Sequence, residues 1–258
     1  MRIEALLFVN WIFWAGISAG TLLVVGLTER LGGTTRGYRL FMAWMLVVFA
    51  AILVVSDLGL PSGVEAASTT GLRRPLAFAF AAGAVAYLVA SLAGWPRSLL
   101  AIGSGLLGLG ALVALAAAGG SASVLLFGGQ LVLAALALGA VNAAMLLGHW
   151  YLVTPKLSPA PLRRMMWLLG VTLSLQGLAF VIALATVGDG LDGGLATLAW
   201  LRLLVGIVLP IVVTVLAMLA SRAASLQAST GLLYIGLALI MAGSIAGSSI
   251  TYLSGVPV

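Results

Sequence analysis

Long apolar stretches divide this chain, separated by short polar or glycine- and proline-containing breaks. Apolar runs near residues 5–27, 39–57, 75–95, 98–118, 124–153, 164–187, 198–220 and 229–252 each reach or approach the length that spans a lipid bilayer. A hydrocarbon core about 30 Å thick needs about 20 apolar residues in a helix. The runs are continuous and lack the strict alternation of barrel strands, so they predict helices. The expected fold is an all-α, polytopic membrane bundle of about eight transmembrane helices, with residues 1–258 forming a single integral membrane domain.

The breaks are legible. Leu31 to Thr35 closes the first run, Gly59-Leu60-Pro61-Ser62-Gly63 the second, and Trp95-Pro96-Arg97 makes a very tight third connection. Gly119-Gly120-Ser121, Pro155 to Pro161, Gly188 to Gly194 and the stretch from Arg222 to Gln227 supply the others. Pro210 falls inside the seventh run and predicts a kink there. The first run begins with Met1-Arg2-Ile3-Glu4 and stays apolar to Leu27, longer than a signal-peptide core, so it reads as a retained helix. No internal repeat is evident along the chain.

Composition supports lipid as the solvent. Hydrophobic residues make up 63% of the chain and charged ones 7%, against about 25% charged in a soluble domain. The net charge of +6 does not imply nucleic acid, because the basic residues sit in short loops between apolar runs. Arg30, Arg36, Arg39, Arg97, Lys156, Arg163, Arg164 and Arg222 fall on one side of the bundle. Arg2, Arg73, Arg74 and Arg202 fall on the other, with Glu4, Asp57, Glu65, Asp189 and Asp192. The excess of basic residues in cytoplasmic loops then predicts both termini outside. The chain has no cysteine and one histidine, His149. By itself it provides no thiolate metal site, no Cys-ligated cluster and no pair of histidines for a haem.

Few residues remain to carry chemistry. Asn10, Trp11 and Trp14 lie near the outer end of the first run, with Asn10 and Trp14 one helical turn apart. Asp57 ends the second run on the same side. Read plainly, Asp57 enters water, Asn10 bonds a neighbouring helix and the tryptophans form an interfacial belt. Asn142, Met145 and His149 share one face of the fifth run, where Asn142 and His149 form a candidate proton relay; an interfacial histidine beside Trp150 and Tyr151 is the plainer reading. Gln130 and Gln176 read as interhelical hydrogen-bonding residues. Arg202 is expected to reach out to Asp189 or Asp192, or to snorkel. Arg73 and Arg74 read as solvated flanking charges or as a docking patch for a partner or anionic lipid. Gly103-Ser104-Gly105-Leu106-Leu107-Gly108 fits a dinucleotide fingerprint literally, but it lies within an apolar run with no preceding strand. Close helix packing explains it better, as it does the pair Gly16 and Gly20.

The segments Trp14-Ala15-Gly16-Ile17-Ser18-Ala19-Gly20 and Ser56-Asp57-Leu58-Gly59-Leu60-Pro61 resemble the first-helix pattern and the Asp-Leu-Gly-Arg-Pro motif of the NrfD/polysulfide-reductase membrane subunits. The end of the chain, Tyr252-Leu253-Ser254-Gly255, is loosely similar to that family's last helix. Leu60 stands where the motif has arginine, and Trp14 where some members have histidine. The resemblance implies a multi-pass anchor of the prokaryotic cytoplasmic (inner) membrane that exchanges electrons with quinone. Its partners would be a peripheral iron–sulfur subunit and, in some complexes, a molybdopterin or cytochrome c subunit. It would bind quinone noncovalently, at Asn10, Trp14 and Asp57. Asn would bond a ring oxygen, Asp57 would accept a proton and Trp would line the ring slot. Two other functions fit the residues: a small-solute or ion transporter, and a structural assembly subunit without an active quinone site.

Overall fold

Uninterrupted Leu, Val, Ala and Ile leave the backbone no lipid-compatible option but to bond within its own segment. The computed structural model accordingly forms helices in each apolar run, and it describes residues 3–60, 70–117, 124–154, 157–187 and 193–254. Among those residues there is no strand, and eight helices are long and apolar enough to cross a membrane. They are α1 (Ile3–Leu31), α2 (Arg36–Leu58), α3 (Thr70–Ala93), α4 (Ser98–Ala117), α5 (Val124–Val153), α6 (Ala160–Val187), α7 (Gly194–Arg222) and α8 (Leu226–Ser254). Several begin or end a few residues beyond the apolar runs. Arg2, Pro61, Glu65, Gly119, Pro155, Lys156, Asp189, Asp192 and Gly255 lie outside the described residues.

The helix ends have local causes. The Thr35 hydroxyl caps α2 by accepting from the Tyr38 amide at 3.3 Å. After α3, Gly94 adopts φ +76° and the Trp95 amide donates back to Ala90 at 2.9 Å, a six-to-one closure that makes the tight connection. The same closure ends α7, where Ser225 donates to Ala220 at 2.9 Å, but there the left-handed position is held by Ala224 (φ +59°). Arginines of the basic loops bond helix C-termini. Arg164 donates to the Leu31 carbonyl of α1 at 2.9 Å, and Arg163 donates to the Ser221 carbonyl of α7 at 2.9 Å.

The eight helices pack as two four-membered rings. In the first, α1 meets α2, α2 meets α3, α3 meets α4 and α4 returns to α1. In the second, α5, α6, α7 and α8 close in the same order. The rings join mainly through α1 against α5. In its most apolar stretch α1 is 83% buried, whereas α7 is 28% buried and presents most of its surface outward. The α1–α5 seam is made by glycine: a Cβ on Gly20 would overlap the Ala135 carbonyl, and one on Gly139 would overlap the Gly20 backbone. Within the fingerprint-like run, Gly105 and Gly108 do press α4 against α1 at Leu23 and Ala19, while Gly103 touches nothing.

Helix α7 is irregular. Gly194–Trp200 is α-helical, Leu201–Val208 is π-helical, and Leu209–Arg222 returns to α. Pro210 has no amide hydrogen and stands at the start of the last segment, just where the wider turns end. The expected disturbance around Pro210 therefore takes the form of a register change to i→i+5 bonding.

Candidate functional site

The ends of α1, α2 and α3 that lie on the same side as the chain termini converge on one carboxylate. Asp57, in the last turn of α2, is fully buried. From α1, the Trp11 indole donates to its Oδ1 at 3.0 Å. From α3, Arg73 donates to the same oxygen and Arg74 donates to Oδ2 at 2.8 Å. The Arg73 guanidinium also lies over the Trp11 ring, 4.9 Å from its centroid. Asp57 therefore does not enter water, and Arg73 and Arg74 are not simply solvated flanking charges. Helix α3 begins at Thr70, five residues earlier than the apolar pattern suggests, and its first turns carry both arginines against the carboxylate. The Arg73 side chain is 2% exposed and that of Arg74 35%, so only the second also faces outward. With both oxygens engaged by guanidinium groups, Asp57 is a fixed anchor rather than a free base.

Asn10 and Trp14 stand beside this cluster on an open flank. The Asn10 amide donates to the Ser56 hydroxyl at 2.9 Å and accepts from the Trp14 indole at 3.1 Å. The plain expectation that Asn10 bonds a neighbouring helix is met by Ser56. Asn10 is exposed, and these two bonds leave it one N–H and one lone pair. Trp14 packs edge-on against Phe49 of α2, ring centroids 5.4 Å apart, giving an apolar wall next to the amide. The structure thus brings Asn10, Trp14 and Asp57 to one end of the first ring. The signal for Trp11, Arg73 and Arg74 as their companions was present as residue type, but no spacing linked α3 to Asp57.

Asn142 and His149 do not meet. Asn142 is buried and donates to Thr21 of α1 at 3.1 Å. His149 is exposed and lies 3.4 Å from the Tyr234 hydroxyl of α8, with the rings edge-on. Among the described residues no hydrogen bond connects them.

One ionisable group escaped the pattern altogether. Near the basic-loop end of α1, the Glu29 carboxylate accepts from the Tyr87 hydroxyl of α3 at 2.5 Å and pairs with Arg97, at the start of α4, at 3.1 Å. A glutamate in a stretch otherwise rich in arginine is the cue that would have found it. No group of three or more metal-ligating side chains occurs among the described residues. No family model, curated protein or solved structure matches the chain.

Proposed function

We propose that this chain is the membrane-anchoring, quinone-interacting subunit of a respiratory oxidoreductase, passing electrons between membrane quinone and a peripheral iron–sulfur subunit. The observation that carries this reading is the Asn10–Trp14–Ser56 group on the open flank of α1 and α2. It offers unused hydrogen-bonding capacity beside aromatic rings where a lipid-dissolved ligand arrives from the side. The free Asn10 N–H would bond a headgroup oxygen, and Trp14 with Phe49 would cover the ring. Behind them, Asp57 with Arg73 and Arg74 carries a net positive charge that favours an electron-rich oxygen nearby. Asp57 holds the arginines in place in this scheme, and proton transfer falls to water or to a partner. The motif position Leu60 brings no charge; the guanidinium groups come from α3.

The site would lie at the outer face of a prokaryotic inner membrane, where the partly exposed Arg74 can meet a peripheral subunit. Electrons leave through that subunit because the described chain holds no metal-ligand cluster of its own. Purification in mild detergent is expected to yield a complex with iron–sulfur absorbance and extractable quinone. Asn10→Leu should weaken binding of a quinone analogue about tenfold, the worth of a hydrogen bond or two, with little change in thermal stability. A purified complex with no redox subunit, which neither binds nor turns over quinone analogues, would end this reading.

A further inference from the structure

The second ring has a buried arginine of its own. Arg202 is the second residue of the π-helical segment Leu201–Val208 and is 2% exposed. It does not snorkel to the surface: a Cβ on Gly206, one turn deeper, would lie 3.3 Å from its Nη1, so the side chain runs inward along α7. Its Nη2 donates to the Gln176 carbonyl oxygen at 3.0 Å, in the amide orientation that also lets that oxygen accept from the Ala134 amide. Nε and Nη1 have no partner among the described residues. Nearby, both amide atoms of Gln130 and the Ser244 hydroxyl are buried and equally unpartnered. All three residues line one small crevice of about 20 Å³ between α5, α7 and α8, partly open at one side.

The first ring shows what is missing. By order around each ring, α5, α6 and α7 take the places of α1, α2 and α3. There, Arg73 of α3 meets the Asp57 carboxylate from α2. Here, among the described residues, Arg202 of α7 bonds one amide, Gln176 from α6, and shares the crevice with Gln130 from α5 without bonding it. Among the described residues Arg202 has no counterion; a guanidinium stays protonated, and burying such a cation unpaired is strongly unfavourable. The unused groups are donors or can turn to donate: Nε–H, Nη1–H, the Gln130 NH₂ and the Ser244 OH. No second cation among the described residues lines the crevice, so the complementary charge is a single negative one.

We propose that Arg202, Gln130 and Ser244 bind a small, free monovalent anion of the halide class. The anion supplies from solution the counterion that Asp57 supplies in the first ring. Helix α7 adopts π geometry where the site is built, and the close Gly206–Gly243 backbone contact holds α7 against α8 beside Ser244.

The test is thermal unfolding of the purified protein, followed by tryptophan fluorescence, with chloride exchanged for gluconate at fixed ionic strength. Wild type is expected to show a saturable rise in Tm with chloride and with bromide. Arg202→Met is expected to lose that response. Gln130→Leu keeps the arginine and covers the case in which the first variant does not fold. It should raise the half-saturating chloride about three- to tenfold, the loss of one hydrogen bond. Crystals soaked in bromide should show an anomalous peak beside Arg202. The proposal is overturned if wild type does not respond to chloride, or if both variants respond as wild type does. It is equally overturned if only anionic phospholipid stabilises the protein, which would place a lipid phosphate at the arginine.

Discussion

Asp57 and Arg73 show how a few side chains govern the end of a membrane bundle. Each is excluded from water, so neither tolerates the loss of the other. Asp57→Asn leaves two guanidinium groups facing a neutral amide and should cost about 3–5 kcal/mol, the usual effect of breaking a buried pair. Arg74→Gln removes a partner that is a third exposed and should cost under about 1 kcal/mol. Thermal melts of the two variants in the same detergent check the ordering; equal losses would show that Arg74 is as structurally committed as Arg73. The same accounting separates Asn10 from Asp57. Asn10 is exposed and keeps spare hydrogen-bonding capacity, so its replacement should alter ligand binding more than stability.

At the level of the helix, glycine position decides what a substitution does. The three glycines of the fingerprint-like run in α4 look alike in sequence but differ in surroundings. A Cβ at Gly103 meets nothing, so Gly103→Ala should stabilise by up to about 1 kcal/mol through helix propensity alone. At Gly105 a Cβ would come within 2.8 Å of the Leu23 backbone amide, so Gly105→Ala should push α4 from α1 and lower Tm. A dinucleotide-binding role would instead make all three substitutions costly to ligand binding and indifferent to helix packing. The end of α7 offers the converse case. Ala224 occupies a left-handed conformation that disfavours any Cβ, and Ala224→Gly should raise stability by about 1 kcal/mol. Comparing midpoints of thermal unfolding for that variant and wild type tests the strain directly.

The whole molecule is two rings of helices joined through a glycine seam, with its ion pairs at the helix ends. The loops predict its orientation. Those carrying Arg30, Arg36, Arg39, Arg97, Arg163, Arg164 and Arg222 should lie in the cytoplasm, and both termini and the Asn10 flank should then lie outside. Reporter tags at the two ends, scored for access to an external protease in intact cells, should both be cleaved. Protection of both tags would invert the topology and move the quinone reading to the opposite face. Arg163 and Arg164 in that basic end also bond the C-termini of α7 and α1. Removing them should therefore loosen helix docking as well as weaken the topological signal.

The helices themselves were legible in the chain because a span must satisfy its backbone internally, and a run of 20 or more apolar residues leaves helix as the local solution. The breaks at Leu31 to Thr35 and at Trp95-Pro96-Arg97 and the disturbance around Pro210 were readable for the same reason: each is a property of a few adjacent residues. Asn10, Trp14 and Asp57 were found by type and by position at one end. What decided their roles was contact between distant segments. Arg73 became the partner of a buried carboxylate, and Arg202 became a cation bonded to one amide. Gln130 was left unbonded, and Asn142 was spent on Thr21 instead of joining His149. Periodicity reports which face of a helix is apolar, and that is nearly uniform here. The neighbour a polar residue meets depends on how helices are ordered around each ring, and that order is fixed only when glycine seams and buried charges pack together.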